Sequence, residues 1–146
     1  MIVYFDTSAI VPIVVAEPSS EICRRLWEHA DQRVSCGLAY VEVGAALAAA
    51  ERQGRLATRQ RADAWLSFEA IWPDVHVVEL TAGLASRAVR FAQSLALRAY
   101  DAVHCAAALA VQAPDVVAAS GDARLLDAWR ALGVATAATY PPRNRK

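Results

Sequence analysis

At 146 residues the chain can bury one proper hydrophobic core, and an apolar share of 56% excludes a disordered protein. Its 15 Lys and Arg balance its 15 Asp and Glu, so no global field marks a nucleic-acid partner and any such surface has to be local. Cys23, Cys36 and Cys105 are scattered, with no C-x-x-C pair, and read as small buried hydrophobes in a reducing compartment rather than a disulfide framework.

The chain opens on Ile2-Val3-Tyr4-Phe5, an unbroken apolar run that predicts a central strand covered on both faces. It meets Asp6 too early for a signal peptide, and the apolar stretch 43–50 is too short to cross a bilayer, so a cytoplasmic protein is expected. Asp6 stands where the strand ends, the edge at which open parallel sheets bind ligands. Taken alone, it reads equally as a helix N-cap. Pro12 suits the first turn of a short helix, and the turn 17–20 leads to a helix over 21–30 that Ser19 or Ser20 can cap. After a strand at 33–36, Gly37 is a break, and the spacing predicts a long helix over 39–53, closed by Gly54, with Glu42 in its first turn. Thr58 is expected to cap a helix to 72, 76–80 to be a strand, and Thr81 to cap a helix through 95. Helical spacing returns over 97–109, where Asp101 is the only acid. The strand 116–119 runs, like the first, into a polar turn, Ser120-Gly121-Asp122, and then a helix over 123–132. Gly133 ends that helix, 134–138 is a last strand, and 141–146 is a basic tail. Such alternation predicts an α/β domain with a parallel sheet of four to five strands and helices on both faces.

Four carboxylates stand apart from the solvated ones. Asp6 and Asp122 end apolar strands, while Glu42 and Asp101 sit in apolar helices, and all four fall on the edge where strands end and helices begin. Together without a counter-ion they would repel until one stayed protonated. A hard divalent cation removes that conflict, since Mg²⁺ takes oxygen ligands and activates water against a phosphodiester. Two other chemistries use an acid at a strand end. A phosphoacceptor receiver needs a lysine near its last strand, but the only lysine is Lys146. A haloacid-dehalogenase-like phosphatase needs an Asp two residues after the first, where this chain has Ser8.

Asp6-Thr7-Ser8-Ala9, the helical Glu42, Tyr100-Asp101-Ala102-Val103-His104 and Ser120-Gly121-Asp122-Ala123-Arg124-Leu125-Leu126 resemble, in order and spacing, the four motif blocks of PIN-domain proteins, VapC-like toxins in particular. The resemblance implies a three-layer α/β/α sandwich over residues 1–140 and a Mg²⁺- or Mn²⁺-dependent endoribonuclease. It further implies the toxin of a type II pair, inhibited by a VapB-like antitoxin and usually a homodimer. By position, Asp6, Glu42, Asp101 and Asp122 match the family's acidic quartet, with Asp6 and Asp101 the firmest metal ligands. Many relatives carry a threonine where this chain has Ser120, and the serine keeps the hydroxyl that orients a carboxylate. The alternative is a module of the same fold that grips an antitoxin or RNA without cutting, against which the intact quartet argues.

Lesser candidates have plainer readings beside them. His104, three residues after Asp101, shares its helix face, and a packed, hydrogen-bonded role outranks metal ligation. Thr7 and Ser8 are expected to cap the first helix while supporting Asp6. Arg52, Arg55, Arg59 and Arg61 surround a helix–helix turn, solvated by default and otherwise suited to RNA phosphates. Trp27, Trp65, Phe68 and Trp72 read as core or interface.

Overall fold

The computed structural model describes residues 1–111 and 113–141; the basic tail expected over 141–146 lies outside the described residues from 142 onward. Five strands, β1 (Ile2–Phe5), β2 (Gln32–Cys36), β3 (Val75–Val78), β4 (Val116–Ser120) and β5 (Ala135–Ala138), form one sheet in the order β3-β2-β1-β4-β5, with every pairing parallel. The helices are α1 (Thr7–Val14), α2 (Ser20–His29), α3 (Gly37–Arg52), α4 (Thr58–Ile71), α5 (Ala82–Ser94), α6 (Ala99–Ala110) and α7 (Ala123–Ala131), with a 3-10 turn at Trp72–Asp74.

The opening strand lacks alternation because both its faces are covered. Val3 and Phe5 pack among Ala9, Ile10, Val43, Leu47 and Phe68, while Tyr4 points the other way, into Leu84, Cys105, Leu125 and Trp129. Helices α1 to α4 therefore lie on one face and α5 to α7 on the other, and the three-layer sandwich holds. The sheet's direction of growth reverses at β1. Chain from β1 moves outward through β2 to β3, then crosses back to β4 on β1's other side and on to β5. The β1/β4 boundary is thus the switch point at which such sheets open a crevice beyond the strands' carboxyl ends. Phe5 pairs with Ala119 there, so Asp6 follows β1 beside Ser120, the last residue of β4.

Several details differ from expectation: Pro12 lies in the second turn of α1, neither Ser19 nor Ser20 caps α2 through its side chain, β3 is Val75–Val78 rather than 76–80, and α6 begins at Ala99 rather than 97. Helix α3 starts at Gly37 itself, directly from β2, so Gly37 begins the helix rather than preceding it, and Glu42 sits in the second turn. Thr58 is the first residue of α4 and not its cap. Ala57 holds the cap position, its N–H donating to Gln60 Oε1 at 2.8 Å. Gly54 and Gly133, at φ of +76° and +80°, end α3 and α7 in the left-handed conformation expected of them. All three cysteines are free and buried, and among the described residues no helix is long and apolar enough to cross a membrane.

Candidate active site

Asp6 is 5% exposed at the end of β1, and its extended backbone (φ −78°, ψ 173°) makes it the N-cap of α1. Its Oδ1 accepts from Ala9 N at 3.1 Å and from the Ser8 hydroxyl at 2.7 Å, and its Oδ2 accepts from the Ser120 hydroxyl at 2.8 Å. Cap and candidate ligand are one carboxylate. The expectation that Thr7 and Ser8 cap α1 is therefore corrected. Both already lie inside the helix, and only the preceding extended residue can reach back to an N–H two or three positions on. Their hydroxyls turn to the acids instead, Ser8 to Asp6 and Thr7 to Glu42 Oε1 at 2.9 Å. Burial raises the pKa of Asp6, against the charge of His104 and the bonds from Ser8, Ser120 and Ala9.

Glu42 is not steadied by the helix dipole as a first-turn residue would be, because that effect fades within one turn. Its partner is a side chain: His104 Nε2 lies 2.6 Å from Glu42 Oε1. His104 is itself buried, at 2% exposure, with Tyr4 Oη 2.8 Å from its Nδ1 and Cys36 Sγ at 3.6 Å. Burial alone would lower the His104 pKa, but contacts with Cys36 and Glu42 outweigh it and push the pKa up to about 10. Burial likewise opposes ionisation of Glu42, and the His104 bond and charge, with Thr7, hold its pKa below the ordinary value. Both shifts favour the charged forms, imidazolium on His104 and carboxylate on Glu42. The packed, hydrogen-bonded role expected of His104 is the one it has.

Asp101, in the first turn of α6, and Asp122, the N-cap of α7, share Arg98. Arg98 Nε donates to Asp101 Oδ2 at 3.1 Å and Nη2 to Asp122 Oδ2 at 3.5 Å. Asp122 Oδ1 accepts from Arg124 N at 2.8 Å and Leu125 N at 3.4 Å. Ser120 ties this corner to β1. Its hydroxyl donates to Asp6 and accepts from Asp122 N at 2.9 Å, while Gly121 N donates to Ser8 Oγ at 2.8 Å. A Cβ at Gly121 would stand 3.3 Å from Thr139 Oγ1 and 3.4 Å from Ser8 Oγ, so a side chain there would crowd both hydroxyls.

The four acids thus lie on one edge, linked through Thr7, Ser8, Ser120, His104 and Arg98. Sequence reading missed Arg98, although its i,i+3 spacing to Asp101 at a helix start was a signal for the pair. Among the described residues no three Asp, Glu, His or Cys side chains gather closely enough to form a metal-holding group. The chemistry of the donors nonetheless fits a hard divalent ion. All four are carboxylates, and among the described residues no basic side chain pairs with buried Asp6, whereas Glu42, Asp101 and Asp122 each have one.

The four arginines of the α3–α4 turn are not brought to these acids. Arg61 pairs with Glu51, Arg59 Nε lies 4.0 Å from Asp63, and Arg55 Nε donates to Gln53 Oε1 at 3.1 Å. Arg52 is about 15 Å along α3 from Glu42 at the usual helical rise.

A family model described as the PIN domain matches residues 3–129. The chain is 44% identical over 132 residues to Ribonuclease VapC45 of Mycobacterium tuberculosis (strain CDC 1551 / Oshkosh), covering 90% of this chain and 92% of that protein. The fold is similar to that of the Mycobacterium tuberculosis toxin VapC20, described as cleaving the sarcin-ricin loop, with a TM-score of 0.66, 16% identity, and 86% of this chain and 94% of the other covered. It is also similar to a chain of VapBC2 from Rickettsia felis bound to a promoter DNA fragment, with a TM-score of 0.64, 9% identity, and 94% and 98% covered.

Proposed function

The chain belongs to the PIN domain family, and on that premise we propose that it is an endoribonuclease, the toxin of a VapBC-like toxin–antitoxin pair, hydrolysing RNA phosphodiesters with a bound Mg²⁺ or Mn²⁺ ion. One observation carries the reading. Asp6 and the Ser120–Asp122 turn stand together at the sheet's switch point, Arg98 ties Asp101 to Asp122, and the most buried acid, Asp6, is paired with no cation among the described residues. We place the ion on Asp6 and Asp101, with Asp122 and Glu42 completing the set. When bound, it would offset the charge of the scissile phosphate and make the attacking water more acidic.

The chain's own groups prepare that arrangement. Ser8 and Ser120 each donate to a different oxygen of Asp6, and these two bonds fix the orientation of its carboxylate. His104 and Thr7 both act on Glu42 Oε1 and keep Glu42 ionised, leaving Oε2 without a protein partner among the described residues. Ser120 joins the Asp6 carboxylate to the turn that presents Asp122, so the acids of β1 and β4 are positioned together. Preorganised donors of this kind cost nothing to arrange at the moment of reaction.

The partner implied is a VapB-like antitoxin, the active unit a homodimer, and the catalytic unit a single PIN domain over residues 1–140. Three free buried thiols agree with a reducing, cytoplasmic setting.

Cleavage products mapped from cellular RNA decide the matter, using purified antitoxin-free protein in Mg²⁺. The parent is expected to cut, chelation by EDTA to stop it, and Asp6→Asn and Asp101→Asn each to lose at least about a hundredfold in rate. If either variant cut as fast as the parent, the mechanism would be wrong; if the parent bound RNA and never cut it, the chain would be a binding module.

A further inference from the structure

Among the described residues, Arg98 is the only arginine within salt-bridge reach of any of the four acids. It spans from the start of α6 to the start of α7, where Asp101 and Asp122 stand 16% and 26% exposed. Arg98 itself is 73% exposed, and among the described residues only its Nε and Nη2 are engaged, both by these carboxylates. A guanidinium carries five N–H donors on a flexible stem, so most of its bonding capacity faces solvent at the mouth of the site. Its partners are also two of the carboxylates assigned to the divalent ion. Both cations cannot keep the same oxygens. Once Asp101 and Asp122 turn to a doubly charged ion, Arg98 loses its acceptors and gains a like-charged neighbour. Solvent exposure lets it swing away at little cost. The polyanion arriving at that mouth offers the matching acceptor, since the guanidinium fork suits phosphate oxygens. The turn arginines expected to grip RNA, by contrast, lie away from the acids and largely have partners of their own.

We infer that Arg98 is a resident counter-ion of the site, neutralising Asp101 and Asp122 until a divalent cation takes them, and that it then binds a phosphate of the RNA. The inference rests on the metal-dependent nuclease reading and adds to it a cation exchange within the chain.

Two titrations on the full-length protein test it. In calorimetry with MnCl₂ and no RNA, Arg98→Ala is expected to bind Mn²⁺ about two- to fivefold more tightly than the parent, the scale of an exposed ion pair no longer competing. Arg98→Lys, which keeps the charge, should stay near the parent. In fluorescence anisotropy with a 5′-fluorescein single-stranded RNA of mixed sequence, with Ca²⁺ replacing Mg²⁺, Arg98→Ala should bind more weakly. Its dependence of log K on log salt should be shallower by about 0.7, one phosphate contact on a single strand. A merely structural arginine would not move both readouts in opposite directions. The inference is overturned if Arg98→Ala binds Mn²⁺ no more tightly than the parent, or if its RNA affinity and salt slope match the parent's. A parent that binds no Mn²⁺ and cuts no RNA would instead overturn the nuclease reading and this inference with it.

Discussion

Asp6 shows how one residue carries two demands. As an N-cap it accepts from Ala9 N, and as a buried carboxylate it is held by two serine hydroxyls with no paired cation among the described residues. Burial raises its pKa, so its ionisation opposes folding. That contribution is favourable below the ordinary value of 3.8 and is lost as pH rises through the folded-state value. Asp6→Asn keeps an acceptor for Ala9 and Ser8 and removes the charge. It should therefore melt at the same or a higher temperature than the parent at pH 7 without metal, while losing cleavage; a markedly lower midpoint by circular dichroism would contradict the burial argument. The Glu42–His104 pair has the opposite sign. His104, raised from 6.5 to about 10, contributes stability that is full below pH 6.5 and lost as pH climbs through about 10. Glu42, lowered from 4.5, contributes stability present above that value and lost on acidification. Urea unfolding across this range should show a plateau near pH 5 to 6 and a decline on the alkaline side. His104→Ala, which leaves Tyr4 without its partner and Glu42 with Thr7 alone, should cost about 3 to 5 kcal/mol, and His104→Gln distinctly less. An unchanged alkaline slope in His104→Gln would assign the decline to another group.

Among elements, the corner between β4 and α7 has the most dependent on it. Asp122 caps α7 with Oδ1 and meets Arg98 with Oδ2, so its helical and chemical roles reside in different oxygens. They can be separated. Asp122→Ala should cost about 1 kcal/mol for the lost cap, whereas Asp122→Ser restores a capping hydroxyl and most of that stability. Neither restores a carboxylate, so both should cleave RNA more slowly than the parent. Equal unfolding midpoints with unequal cleavage in Asp122→Ser would bear this out, and full cleavage by Asp122→Ser would remove Asp122 from the machinery. Element identity was legible in the chain because hydrophobic period and turn chemistry are local. Boundaries were less so. Gly37 is a poor helix former on its own, yet α3 begins on it because the chain leaves β2 already directed into the helix. Thr58 looked like a cap because its hydroxyl is the right chemistry, but the extended backbone that defines the cap belongs to Ala57. Thr81 met both conditions and does cap α5, its hydroxyl accepting from Leu84 N at 3.1 Å.

At the scale of the whole molecule, the sheet order β3-β2-β1-β4-β5 brings Asp6 and the Ser120–Asp122 turn together at one crevice. The family's dimeric habit leads us to expect that the 15.7 kDa chain sediments at twice that mass, and that a co-expressed antitoxin from an adjacent reading frame relieves growth arrest. A monomer that cuts RNA at full rate would detach dimerisation from activity. The amino-acid sequence by itself determined the α/β class, the parallel sheet, the free buried cysteines and the four acids worth watching. Each follows from residue type and short-range spacing. Tertiary structure decided which hydroxyl serves which carboxylate, that Glu42 is paired with a buried imidazolium, that Arg98 stands over Asp101 and Asp122, and that the turn arginines do not reach the acids. Apart from Ser8 with Asp6 and Arg98 with Asp101, which are near neighbours in the chain, those contacts join residues 24 to 114 positions apart, such as Arg98 with Asp122 and Ser120 with Asp6. Local periodicity cannot encode them, because they arise only when strand order and helix packing bring distant segments to the same edge.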